Sequence, residues 1–290
     1  MFEDFILTCN VLDTSVQDPN VTQRCTDPAF LRMLNQLRIG KPRVRGGCGL
    51  TVAKICRRRK AWRGDVPTVE DIRRLFQRHK DTTILCITRE KTALINELAL
   101  QAKFPRREPL AILPGDIESN PENYDERHIL KTNTAALKPI KLRVYQGMLV
   151  YFTRNVRKDV DFVNGMLAVV TGYDSASNSL QVVTKTGHPV RVWQWTDREF
   201  ENKTYFPVRP GYASTIIKFQ GAELSHVTVY LDVPGAPGAA YTALSRVATG
   251  KQYLIGGNVN PHHFTPNRSG VSDVKWIERV RKFGAKRKAK

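Results

Sequence analysis

Residues 211–257 read GYASTIIKFQGAELSHVTVYLDVPGAPGAAYTALSRVATGKQYLIGG, and they decide the fold class. A polar segment carrying Thr215 and Lys218 ends at Gln220-Gly221. A β-type apolar run at 227–231 follows, then a Gly/Pro-rich loop at 233–238 and a small-residue helix pattern closing on Ser245-Arg246. Residues 252–256 read as a buried closing strand. Two apolar strands bracketing a short helix are the βαβ signature of a parallel sheet. α/β sheets bind ligands at the joins beyond their strands, and the polar residues of this stretch crowd those joins. The expected class is α/β.

Upstream, Thr26-Asp27-Pro28 starts a helix whose apolar residues keep helical spacing up to Gly40. Residues 41–62 are rich in Gly, Lys and Arg, including Arg57-Arg58-Arg59-Lys60, and read as a solvated, mobile linker, with a dedicated nucleic-acid or import patch as the alternative. Thr68 caps a second helix, with Glu70 and Asp71 in the first turn, where the helix dipole favours negative charge. TILCIT at 83–88 is a short buried strand that hands over to a helix from Arg89. That geometry puts Thr88 and a helix N-terminus where a phosphate binds. Residues 105–139 read as irregular, with a strand-like piece at 110–113. From Leu142 the pattern turns all-β: strands at 147–152, 166–171, 180–184 and 189–195 predict a small inserted barrel. Asn164-Gly165 is tight-turn chemistry, and Asn155 a hydrogen-bonding strand end. Trp193 and Trp195, two residues apart, predict core packing rather than base stacking.

The composition points to partners. Of 290 residues, 46 are Lys or Arg against 27 Asp or Glu, a net charge of +19. An excess of that size speaks of association, with nucleic acid first and an anionic membrane surface as competitor. The 41% apolar content is enough for a core. No run of about 18 apolar residues predicts a membrane span, and Glu3 and Asp4 stand against a signal peptide, so an intracellular chain with no membrane partner is expected. Five scattered cysteines without a CxxC argue against a disulfide framework and a zinc site. His262-His263 reads as an exposed loop.

In the opening stretch the chain resembles the second half of a superfamily 1B DNA helicase of the petite-integration-frequency and RecD-like type. The matching residues are TIIKFQG at 215–221 and YTALSR at 241–246. Upstream, Gln23-Arg24, FLRMLNQLRIG at 30–40 and ILCITRE at 84–90 fall in the family's order, and GMLVYFTRN (147–155) and FVNGMLAVV (162–170) resemble the entry to its inserted Src-homology-type barrel. Ile217 and Phe219 depart from the usual His and Ser. The sequence holds no G-x-x-x-x-G-K-[ST] loop. Gly46-Gly47-Cys48-Gly49 lacks the Lys-Ser/Thr pair and reads as a flexible loop.

The resemblance implies a RecA-like parallel-sheet domain with the first motor domain missing: 1–20 a remnant or linker, 21–141 and 209–260 the two parts of the motor domain, 142–208 the insert, and 261–290 a basic tail. It implies Arg246 as an arginine finger, a group worth about 10³ or more in rate in phosphoryl transfer. Arg24 is implied as a second γ-phosphate arginine, with Gln23 beside the nucleotide. It also implies a single-stranded DNA track through Thr88, Ser214, Thr215, Lys218 and Gln220, since such tracks need phosphate donors. For Thr88 a plain helix cap competes with that role. ATP and Mg2+ are expected only with the missing first motor domain, carried on the same or another chain. The favoured reading is the C-terminal portion of an ATP-dependent 5′→3′ DNA helicase, in settings such as repair, recombination and telomere maintenance, in the nucleus or a DNA-containing organelle such as the mitochondrion. The alternatives are a stand-alone nucleic-acid-binding module and a subunit completing an ATPase in trans.

Overall fold

The computed structural model describes residues 25–127, 129–220 and 222–268. Gln23, Arg24, Gly221, the stretch 1–20 and the tail beyond residue 268 lie outside them. Helix α1 (Pro28–Ile39) starts where expected: Asp27 accepts from the N–H groups of Ala29 and Phe30, and Pro28 loses no bond at the first position. Residues 41–62 correct the linker expectation. They contain helix α2 (Val52–Cys56), capped by Thr51, and bury Ile55 and Trp62. Two apolar anchors hold a segment whose charge density reads as solvated. Helix α3 (Val69–Arg78) begins with a reciprocal Thr68/Asp71 capping box.

Four parallel strands form the central sheet: β1 (Thr82–Cys86) and, later in the chain, β11 (Ala213–Thr215), β12 (His226–Tyr230) and β13 (Tyr253–Gly256), in the order β11-β1-β12-β13. All five residues of β1 are buried, as the unbroken run TTILC requires of a strand covered on both faces. Helix α4 (Arg89–Lys103) follows β1, and α5 (Ala239–Leu244) joins β12 to β13, which is the expected βαβ unit. The chain from Arg59 to Ala61 continues the sheet beyond β13, since Ala61 donates to the Ile255 carbonyl and Ile255 to that of Arg59.

The remaining strands are antiparallel. β2 (Ala111–Gly115) pairs with β3 (Ile140–Val144). β4 (Leu149–Phe152), β5 (Leu167–Asp174), β6 (Ser179–Thr184), β7 (Pro189–Val192) and β10 (Val208–Pro210) make one sheet, in the order β10-β4-β5-β6-β7. Among the described residues no pairing joins β7 to β10, so the sheet is open at both edges. β8 (Trp195–Asp197) and β9 (Lys203–Tyr205) form a separate pair. One buried cluster runs from Ile84, Cys86 and Phe76 into Val150, Phe152, Ala168 and Val182, so the inserted sheet shares its core with the parallel one.

Two expectations fail here. Trp193 is 54% and Trp195 36% exposed. The period-2 reading needs one continuous strand, but β7 ends at Val192 and β8 begins at Trp195. In the His262-His263 pair only His262 is exposed; His263 is buried, and its Nδ1 accepts from the Asn260 N–H at 3.0 Å as a cap on a 3-10 turn. Asn155 and Asn164 behave as turn chemistry: the Asn155 Oδ1 accepts from the Asn164 N–H at 2.8 Å.

Candidate nucleic-acid interface

The carboxyl ends of β1 and β11 lie side by side, with Cys86 opposite Thr215. Beyond β1 the chain must turn into α4, and Asp232 holds that turn. Its carboxylate accepts from the Ile87 N–H at 2.6 Å, from the Thr88 N–H at 3.1 Å and from the Thr88 hydroxyl. The Thr88 oxygen in turn accepts from the Lys91 N–H at 3.2 Å as the N-cap of α4. Thr88 is therefore buried and engaged on both sides, and it serves the site by fixing where α4 starts.

Deeper in α4, Asn96 satisfies the free edge of β11. Its amide donates to the Ala213 carbonyl at 3.1 Å and accepts from the N–H groups of Tyr212 (3.2 Å) and Ala213 (2.9 Å). A side chain thus stands in for a neighbouring strand.

Between α4, the turn at 116–119, β3, β10 and the chain beyond β11 lies a cavity of about 270 Å³. Arg89, Arg209 and Lys218 reach it from three separate elements, and Thr215, Asp116 and Glu118 line it as well. Arg89 donates to the Glu118 carbonyl at 2.9 Å, and its guanidinium lies 3.8 Å over the Tyr124 ring. Arg209 donates to the Ser214 hydroxyl at 3.1 Å and lies 5.6 Å from the Tyr151 ring centre. Among the described residues its buried Nε has no hydrogen-bond partner, and neither has Oδ1 of buried Asp116. Burial raises the Asp116 carboxyl above its ordinary value and lowers the Arg209 guanidinium below its own. Lys218 is likewise lowered, first by burial and next by Arg209, while Glu118 at 3.9 Å pulls the other way. With Lys141 and Arg143, five cations line this space against Glu97, Asp116 and Glu118, a cationic excess that suits a ligand bearing anionic oxygens.

The track residues divide by exposure. Thr215 is half-buried, while Lys218 and Gln220 are exposed on the 3-10 turn beyond β11 and at its end. Ser214 is fully buried, and its hydroxyl receives Arg209, so it supports the site from inside. Asp232, Asn96, Arg89, Arg209 and Asp116 escape the sequence reading. Two of them carried a signal: Asp232 follows an apolar strand directly, and Arg209 stands two residues before the decisive stretch.

Arg246, just past α5, is half-buried. Its Nε donates to the Thr242 carbonyl at 2.8 Å, Nη1 to the Phe219 carbonyl at 3.3 Å and Nη2 to the Ser245 hydroxyl at 2.8 Å. The arginine itself ties the helix to the end of the track. Among the described residues no cluster of His, Cys, Asp or Glu suits a metal. The loop at 46–49 joins no strand to a helix; backbone bonds between Arg43 and Leu50 and between Val52 and Arg43 close it at its base. Among the described residues no helix is long and apolar enough to cross a membrane.

No family model matches the chain. Curated relatives do match, among them the ATP-dependent DNA helicase PIF1 of Mus musculus, 30% identical over 173 residues, and that of Homo sapiens, 31% over 180. Each match covers 57% of this chain and 25% of the relative, so the alignment spans about a quarter of the relatives' length. The fold is that of solved Pif1 helicases. The enzyme from Candida albicans matches with a TM-score of 0.59 at 20% identity, over 90% of this chain and 60% of that one. Bacteroides Pif1 bound to ssDNA matches with a TM-score of 0.57 at 19% identity, over 90% and 55%.

Proposed function

We propose that this chain, homologous to the PIF1 helicases of superfamily 1B, acts as the second motor domain of an ATP-dependent 5′→3′ DNA helicase. One observation carries the reading: Thr215 and Lys218 meet Arg89 and Arg209 on a single cavity at the carboxyl ends of parallel strands. The phosphates of single-stranded DNA pass over Thr215, Lys218 and Gln220, with Arg89 and Arg209 behind them. Thr88 and Ser214 hold that surface in shape. The division proposed runs 1–20, 21–141, 142–208, 209–260 and 261–290, with the insert built on the open antiparallel sheet where the sequence pattern predicts a barrel. A DNA-containing compartment, nucleus or mitochondrion, is the proposed location.

ATP and Mg2+ belong to a first motor domain in the same or another chain. Arg246 is the proposed finger, with Arg24 and Gln23 beside the nucleotide. Arg246 reaches a phosphate only by exchanging bonds it now makes to its own domain. Hydrolysis is therefore expected of the assembled motor and not of this chain alone. The test is anisotropy with labelled oligo-dT, followed by an ATPase assay with a phosphate-loop domain added. Lys218→Ala weakens oligo-dT binding about threefold to tenfold and lowers the salt slope by about 0.7. Arg246→Ala abolishes hydrolysis in the assembled motor and spares DNA binding. Unchanged oligo-dT binding by Lys218→Ala sinks the track, and normal hydrolysis by Arg246→Ala sinks the finger. A second reading, a nucleic-acid-binding module without ATPase activity, is favoured by the Arg246 guanidinium resting on its own domain's carbonyls. In that case ATP leaves DNA binding unchanged in every assembly.

A further inference from the structure

The segment expected as a linker is an ordered, strongly basic surface. Between Asp27 and Asp65 the sequence holds no acidic residue. Lys41, Arg43, Arg45, Lys54, Arg57 and Arg63 are all exposed, and so is Arg58. Among the described residues no carboxylate lies within ion-pair distance of any of them. What sets them apart is their crowding along a stretch that holds no acid; like charges so close repel one another, and folding alone gives no reason to hold them together.

They are nevertheless held. Trp62 is buried against Tyr230, with ring centres 5.4 Å apart, and Ile55 is fully buried. Arg59 lies 5.3 Å over the Tyr253 ring and donates to the Lys251 carbonyl. Lys60 donates to the Gly257 carbonyl. These two cations anchor the surface while the others face outward. At one end, the loop closed by the bonds between Arg43 and Leu50 and between Val52 and Arg43 borders a hollow of about 520 Å³. Lys41, Arg43 and the glycines 46, 47 and 49 line it. No atom lies within 4 Å of where a side chain on those three glycines would begin, so the loop backbone is open to an anionic oxygen.

We propose that this surface, residues 41–63, binds the phosphate backbone of a nucleic-acid duplex, as a second site apart from the single-strand track. Charge selects a polyanion, and duplex DNA carries about one charge per 1.7 Å of axis. The lack of stacking groups selects the duplex. Single strands are held by aromatic faces as well as cations, and the one aromatic residue in this segment, Trp62, is buried. A surface with cations and no exposed ring suits a ligand whose bases are turned inward. The segment joins the sheet beyond β13, while the track lies at β11, the opposite edge. Four strand spacings, about 19 Å, separate the basic segment from β11, so the two surfaces are distinct sites on one sheet.

The test uses the full chain, so that residues beyond the described ones contribute equally throughout. Anisotropy is measured with a 20-base-pair duplex and with oligo-dT from about 50 to 200 mM salt. Arg43→Gln, Arg45→Gln, Arg57→Gln and Arg63→Gln are combined in one protein. Duplex affinity is expected to fall about tenfold or more and the salt slope to lose about three units, with oligo-dT affinity changed less than about threefold. The same four positions changed to Lys keep the charge and restore duplex binding, which separates charge loss from misfolding. An unchanged duplex slope overturns the proposal, as does equal loss on both probes. Displacement of the duplex by poly-glutamate at equal charge, or tighter binding to phosphatidylserine vesicles than to duplex, also overturns it. Lys218→Ala runs in parallel: its failure to weaken oligo-dT binding counts against the track alone and leaves the duplex result standing.

Discussion

Single residues set this site by completing other residues' hydrogen bonds. Asn96 supplies both partners that the edge of β11 lacks, from a position almost sealed from water. Asn96→Ala leaves those groups buried and unpaired and is expected to cost about 2–3 kcal/mol in denaturant unfolding; a loss under about 0.5 kcal/mol refutes the role. His226 sets a pH limit. Its Nδ1 lies 2.8 Å from the Thr82 hydroxyl, and the ring stacks on His79 at 4.3 Å. Burial first, then His79 and Arg59, push its pKa down to about 4. The unfolded chain takes up that proton near pH 6.5, so between pH 6.5 and about 4 it binds more protons than the fold does. Stability is therefore full above pH 6.5 and falls as pH drops through that window, by about 2 kcal/mol once solvent screening of the half-exposed ring reduces the full value of about 3. Flattening of that slope in His226→Gln checks the assignment, and an unchanged slope refutes it.

At the scale of elements, the close approach of β13 to the basic segment decides what each can carry. A Cβ on Gly256 would sit 2.1 Å from the Trp62 ring. The tryptophan that anchors residues 41–63 therefore packs directly on backbone. Gly256→Ala is expected to destabilise by about 3 kcal/mol, the upper range of overpacking. It should also weaken duplex binding more than oligo-dT binding, because it unseats the anchor. Thermal unfolding and the two anisotropy series check both parts. In the inserted sheet, exposed Trp193 and Trp195 carry no core, so Trp193→Ala is expected to change stability by less than about 0.5 kcal/mol. The same exposure leaves both rings open to bases, the use that the period-2 pattern argued against.

For the whole molecule, the net charge of +19 is a matter of placement. The track gathers a few cations into a cavity beside Asp116 and Glu118, where they are held and partly neutralised. Residues 41–63 spread theirs outward along a stretch with no acid of its own. The first arrangement suits a defined phosphate path, the second a long polyanion. The inserted antiparallel sheet lies between neither; it shares its core with the parallel sheet and packs Tyr151 against Phe219 with ring centres 5.5 Å apart. The insert thereby packs on the turn that carries Lys218.

The sequence by itself determined the parallel βαβ unit, the helix starts at Asp27 and Thr68, and a family resemblance read at residues 215–221 and 241–246. Those features are written in near neighbours: a cap needs residues three apart, and a buried strand needs an unbroken apolar run. Only the tertiary structure decided that Arg89, Arg209 and Lys218 share a cavity, that Asp232 clamps Thr88, that Ser214 faces inward, and that Trp62 finds Gly256. Each of these joins parts of the chain with no common local period. Charge density and alternation misled for the same reason. Solvation of an arginine run and burial of a tryptophan pair depend on what packs beside them, and in this fold the arginines found a tryptophan anchor while the tryptophans found water.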